Sequence, residues 1–133
     1  VNIDPRWRER GAASLLFAVG VINVLPIVVL FVPERAHDLY GVLIEGAALG
    51  VLMRHRAVLL AILGLLLIGA AFRTAWRVPA IAAAVISKVT FLTLMRIEAS
   101  GTGPLDRIAA FDIGALLALA TVIALMPSGR ASG

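Results

Sequence analysis

Four long apolar runs, at residues 12–32, 47–72, 78–97 and 108–126, constrain this chain more than any other feature. A helix rising 1.5 Å per residue needs roughly 20 residues to cross about 30 Å of hydrocarbon, and every run is close to that length or above it. A membrane barrel would instead alternate apolar and polar positions over segments of about 10 residues. These runs are rich in Leu and Ala and do not alternate. The composition agrees: 61% of the 133 residues are apolar and 15% are charged, with a mean hydropathy of +1.01, whereas soluble domains run at about 45–50% and about 25%. One domain of this length is too small to hide so much apolar sequence from water. The predicted fold is therefore all-α: a single integral membrane domain, a four-helix bundle threaded up-down-up-down.

The first run follows Arg6-Trp7-Arg8-Glu9-Arg10 and exceeds the 7–15 residues typical of a signal-peptide core. No small-x-small cleavage site intervenes before Pro33-Glu34-Arg35, so it is read as a span. Trp7 and Trp76 suit an interfacial belt. Pro79 falls at the first turn of the third helix, and Pro127 follows the fourth as a stop. Eleven arginines and one lysine stand against eight acids, for a net charge of +4. In a soluble chain this balance would point to nucleic acid. Here the arginines flank apolar runs, the pattern of membrane anchors, and no aromatic-basic surface accompanies them. One side collects Arg6, Arg8, Arg10, Arg73, Arg77 and Arg130; the other holds Arg35, Arg96 and Arg107, with Arg54 and Arg56 ambiguous. The positive-inside rule then predicts a multi-pass protein of the inner, cytoplasmic membrane with both termini in the cytoplasm.

Cysteine is absent, which removes disulfides, thiolate nucleophiles and thiol metal sites together. His37 and His55 lack a carboxylate set at ligand spacing, so no metal is expected. No phosphate-cradling glycine loop or other cofactor motif is present, and no cofactor is expected.

The second run is the irregular one. Only the sixteen residues 57–72 are uninterrupted, covering about 24 Å, so Arg54-His55-Arg56 is expected at or inside the membrane boundary. Helical rotation of about 100° per residue sets Arg54 and Arg56 about 200° apart, which turns one of them outward. The preceding residues 42–53 are apolar except Glu45 and contain Gly46-x-x-x-Gly50, a spacing that permits close helix contact. This segment either extends the helix, placing Arg56 on the face of Glu45, or forms a re-entrant stretch. His37, in Arg35-Ala36-His37-Asp38-Leu39-Tyr40, is expected in a loop.

Lys88 is the most expensive residue in the sequence, because it lies at the midpoint of its run, about 15 Å from either end. Its stem of roughly 6 Å is too short to reach an interface, and an ionisable residue at that depth is a functional candidate by default. Antiparallel threading brings two partners to similar depth in the outer half: Asn23, whose amide oxygen can accept from an ammonium, and Asp112, one turn into the fourth run. Pro26 frees the carbonyl of Ile22 and is expected to kink the first helix. The predicted ligand site comprises Lys88, Asn23, Asp112, Arg54, His55 and Arg56. Lys88 supplies charge, Asn23 orientation, and Asp112 with His55 a proton-linked gate or acid/base pair. Ser87, Thr90 and Thr93 read as helix–helix contacts.

With Leu25-Pro26, Leu39-Tyr40-Gly41, Arg54-His55-Arg56-Ala57, Ala71-Phe72-Arg73 and Asp112 in place, the chain resembles a group of small uncharacterised bacterial four-span proteins loosely like the DoxX group. Some of that group go under the name phosphopantetheine adenylyltransferase, an activity that requires a soluble nucleotide-binding domain with a His-x-Gly-His-type motif; this chain has neither. The DoxX resemblance implies an association with quinone or sulfur oxidation.

The expected task is binding of a small amphipathic or anionic, lipid-like molecule. Three alternatives stand beside it. One is an intramembrane isomerase, cyclase or hydrolase in which Asp112 and His55 are the candidate catalytic pair. Another is a homo-oligomer or accessory subunit of a larger membrane complex, with Lys88 meeting a neighbour's carboxylate. The last is a small transporter, for which the membrane-embedded acid typical of the first helix of such exporters is missing.

Overall fold

The computed structural model describes residues 4–98 and 103–127, and every regular element among them is helical. In chain order these are α1 (Pro5–Val24), α2 (Val28–Phe31), α3 (Arg35–Tyr40), α4 (Ala47–Phe72), α5 (Arg77–Glu98) and α6 (Gly103–Leu125), with 3-10 turns at Leu25–Ile27 and Thr74–Trp76. Four helical stretches are long and apolar enough to cross a membrane: Pro5–Phe31, Ala47–Phe72, Thr74–Glu98 and Leu105–Leu125. Arg130, counted above among the topology-setting arginines, lies outside the described residues.

Local chemistry sets the element boundaries. Asp4 caps α1, its carboxylate accepting from the Arg6 N–H at 2.8 Å, and Pro5 occupies the first turn where its missing donor costs nothing. Pro26 ends the regular hydrogen-bond ladder of α1, and the chain passes through the 3-10 turn into α2. His37 lies on the short helix α3, a departure from the expected loop; Ala36 and Tyr40, four residues apart, face inward, and Arg35, His37 and Asp38 face outward. Gly41 closes α3 with φ 66°, the left-handed cap that glycine adopts without strain.

Residues 42–46 are not helical. Gly46, at φ 82°, turns the chain into α4 at Ala47, so Glu45 stands outside the helix, exposed, and does not share a face with Arg56. The Gly46–Gly50 spacing makes no helix contact either: a Cβ on Gly46 would meet nothing within 4 Å, and one on Gly50 only the Ile44 side chain at 3.6 Å. The close approach occurs elsewhere. Where α1 crosses α4, a Cβ on Gly20 would lie 2.7 Å from the Gly64 carbonyl oxygen, and one on Gly64 would lie 2.5 Å from that of Gly20.

Helix α1 packs on α4 and α6, and α5 closes the bundle against the same two neighbours. The core is built of small and medium residues, among them Ala12, Ala70, Ala80, Ala84 and Leu67, which let backbones approach as they do in lipid-embedded bundles. Outside, the pattern of a water-soluble protein is inverted. Phe31 and Phe72 are each 76% exposed, and Leu65, Ile86 and Leu117 project outward from three different helices. Asn23, Arg77 and Lys88 are buried. Polar inside and apolar outside is the arrangement hydrocarbon selects, and the chain is a multi-pass membrane protein.

Gly64→Val is expected to lower stability by about 1–3 kcal/mol, because two of the three colliding atoms, the Gly20 carbonyl oxygen and the Val24 nitrogen, are backbone and cannot swing aside. Gly114→Ala, at a site where a Cβ meets nothing within 4 Å, is expected to be neutral. Unfolding midpoints of both variants in the same detergent provide the comparison.

Candidate functional site

Lys88 sits near the centre of α5 with its side chain 5% exposed. Its ammonium donates to Asp112 Oδ1 at 2.6 Å and to Asn23 Oδ1 at 3.3 Å. Asn23 is held in turn by its amide N–H, which donates to the Val19 carbonyl one turn back in α1 at 2.8 Å. Asp112 projects from the first half of α6 with its side chain 14% exposed. Three helices therefore meet through one charge-assisted network, and the ion pair makes the group neutral overall. A neutral hydrogen-bonded pair is far cheaper to hold in hydrocarbon than a lone ammonium.

This network forms one wall of a cavity of about 690 Å³, within the range of about 300–1,000 Å³ common for small-molecule sites. Most of the lining is apolar and comes from α1, α4, α5, α6 and the segment around α3. Four further polar side chains line it: Arg56, Tyr40, and the Ser87 and Thr90 hydroxyls of α5, which were expected at helix–helix contacts and face the cavity instead. Arg56, half-buried on α4, holds its guanidinium over the Phe91 ring at 4.9 Å and the Tyr40 ring at 5.6 Å, in cation–π contact with both. Tyr40 is 6% exposed, and its hydroxyl has no hydrogen-bond partner among the described residues. Burial raises the phenol above its ordinary pKa; the Arg56 charge opposes this and the Asp112 charge adds to it. Tyr40 is thus a neutral O–H donor at neutral pH.

Of the six residues expected to form the site, the structure brings Asn23, Lys88, Asp112 and Arg56 to the cavity. Arg54 and His55 are exposed and do not line it, so Asp112 and His55 do not share this space. The roughly 200° between Arg54 and Arg56 allows only one to turn inward, and it is Arg56. Tyr40 escaped the sequence reading although it is the only tyrosine and falls four residues after Ala36 on a face opposite Arg35, His37 and Asp38. Among the described residues no group of three or more His, Cys, Asp or Glu is placed to hold a metal.

A second buried charge also went unread. Arg77, the first residue of α5 and 2% exposed, forks onto the Glu9 carboxylate at 2.9 and 2.5 Å while its Nε–H donates to the Ala70 carbonyl at 3.2 Å. It was expected to be a headgroup anchor and is instead an internal clamp among α1, α4 and α5. Beside it, Arg8 donates to the carbonyls of Ala124 and Met126, each at 3.3 Å, where a cation suits the C-terminal end of α6. The bundle therefore has a clamped end and a cavity end. No protein-family model, curated protein or solved structure matches the chain.

One double-mutant cycle and one single substitution probe these networks separately. Lys88→Met and Asp112→Asn should each cost about 2–4 kcal/mol, and the double variant should recover at least about 1 kcal/mol of their sum, because each single change strands a buried partner. Glu9→Gln strands a buried guanidinium beside a carboxylate position that is 53% exposed. Its cost should therefore be about 2 kcal/mol, below the 3–5 kcal/mol of a fully buried pair. Denaturant titration of the detergent-solubilised variants measures both costs.

Proposed function

We propose that this protein binds a small amphipathic or anionic molecule in the cavity between its four spanning helices. The observation that carries the reading is the coincidence, in one largely apolar cavity, of the Lys88–Asp112–Asn23 network, the Arg56 guanidinium and the unpartnered Tyr40 hydroxyl. An apolar pocket with a few convergent polar groups is the usual form of a small-molecule site. The polar groups orient the ligand's head, and the leucine, isoleucine and phenylalanine lining takes its apolar part.

The roles differ from those expected from sequence. Lys88 already has its counter-charge in Asp112, so it acts as a neutral polar wall, and Arg56 offers the cation that remains open. The internal carboxylate also means that Lys88 needs no acid from a neighbouring protein. We place the chain in the inner membrane with both termini cytoplasmic and the cavity in the outer half of the bilayer. That orientation rests on Arg6, Arg8 and Arg10 ahead of the first span, which usually dominates topology; over the whole chain the arginines at the two ends are close to balanced.

Native mass spectrometry of protein gently extracted from its own membrane tests the reading. The expected result is one retained small molecule per chain, lost in Lys88→Met, which leaves the Asp112 carboxylate uncompensated at the cavity wall, while the unfolding transition stays cooperative. Retention of the same compound by a folded Lys88→Met protein would refute it.

A further inference from the structure

The charges and donors at the cavity do not balance, and the imbalance specifies a ligand. Three ionisable side chains of opposite sign line it together with Tyr40: Arg56, Lys88 and Asp112. Lys88 and Asp112 neutralise each other at 2.6 Å. Arg56 makes no ion pair among the described residues. The Phe91 and Tyr40 rings attract its charge but accept none of its five N–H donors in the way a carboxylate would. The Tyr40 ring lies under that guanidinium, and its buried hydroxyl is a further unused donor among the described residues. One positive charge and a surplus of donors thus converge on one spot, and the matching head is a monoanion rich in acceptor oxygens.

The rest of the cavity says where such a ligand resides. Ile22, Leu59, Leu94 and Phe111 line it from four different helices, yet each is between 45% and 57% exposed. Leu59 lies midway along α4, at hydrocarbon depth. Apolar residues that border the cavity thus also present surface on each spanning helix, at the depth of the lipid chains, and a chain attached to the head can continue between them into the bilayer.

We infer that the cavity takes a single-chain lipid with a monoanionic head, seated against Arg56 and Tyr40, drawn from the surrounding membrane. A long-chain carboxylate is the simplest such molecule; the phosphodiester of a lysophospholipid has the same charge and similar acceptors. This inference rests on the cavity being a ligand site, as proposed above, and adds the sign of the head, the residues that read it and the source of the ligand.

Purified protein in a non-ionic detergent, titrated separately with palmitate, hexadecanol, hexadecyltrimethylammonium and palmitoyl-lysophosphatidylglycerol, tests it with native mass spectrometry as the readout. Palmitate or the lysophospholipid should bind at one per chain and at least tenfold more tightly than hexadecanol or the cation. Whichever anion binds better identifies the head as carboxylate or phosphodiester. Arg56→Gln should weaken the anion about tenfold and Tyr40→Phe severalfold, with hexadecanol unaffected. Arg96→Gln, which removes an exposed charge on α5 outside the cavity, should change nothing. Hexadecanol or the cation bound as tightly as the anions would overturn the anionic head while leaving the cavity a ligand site. If wild-type protein bound none of the four, yet carried a compound from its native membrane, this inference alone would fail. Absence of any bound molecule in both experiments would remove both readings.

Discussion

An ammonium group held midway along a helix that faces hydrocarbon must be neutralised within reach of its own side chain, and the cavity end of this bundle is organised around that requirement. Lys88 cannot reach an interface, so a carboxylate has to come to it. Asp112 does so from α6, while Asn23 completes the contact from α1 and is itself braced by the Val19 carbonyl. Three helices converge on one nitrogen. The space beside the network is a cavity lined by that network, by the ring-stacked Arg56 and by apolar side chains of four helices.

The clamped end solves a similar problem with a different result. Arg77 is equally buried, but its planar fork meets both Glu9 oxygens and its Nε–H finds the Ala70 carbonyl. Between the two polar layers lies an apolar one in which glycine and alanine bring helices into near backbone contact, as at Gly20 and Gly64. Packing of small residues supplies the cohesion that the hydrophobic effect cannot supply between helices already in oil. The buried polar groups then add registry, since a one-turn slip of α5 would separate Lys88 from Asp112 and Arg77 from Glu9 together.

Much of this was legible before any coordinates. Hydropathy alone forces four helices, because continuous apolar runs of spanning length have few other solutions, and the depth of Lys88 demands partners that antiparallel threading narrows to Asn23 and Asp112. What stayed hidden has physical causes. Gly46–Gly50 has the spacing of a packing motif, yet the positive φ at Gly46 makes it a chain turn; Gly20 and Gly64 pair across helices and leave no local spacing to notice. Arg77 looks like every other arginine at the end of a span, and only the position of Glu9, the sole acid within Arg6-Trp7-Arg8-Glu9-Arg10, hints at its burial. Tyr40 is brought to the cavity by a six-residue helix whose existence depends on tertiary packing, since a helix so short is not stable alone. Arg54 and Arg56 are indistinguishable by composition, and rotation about α4 separates their fates.

The two ion pairs also differ in when their members exist. A chain made from its N-terminus has Glu9 in place long before Arg77 appears, so the clamp finds its carboxylate waiting. Lys88 is in the opposite position: its acid lies 24 residues downstream, about one to five seconds of synthesis later at typical rates of 5–20 residues per second. During that interval the growing helix carries a membrane-depth cation whose only available partner in its network is the Asn23 amide. Nascent α5 is thus the step of biogenesis at which this protein is least at home in lipid, and the arrival of α6 ends it.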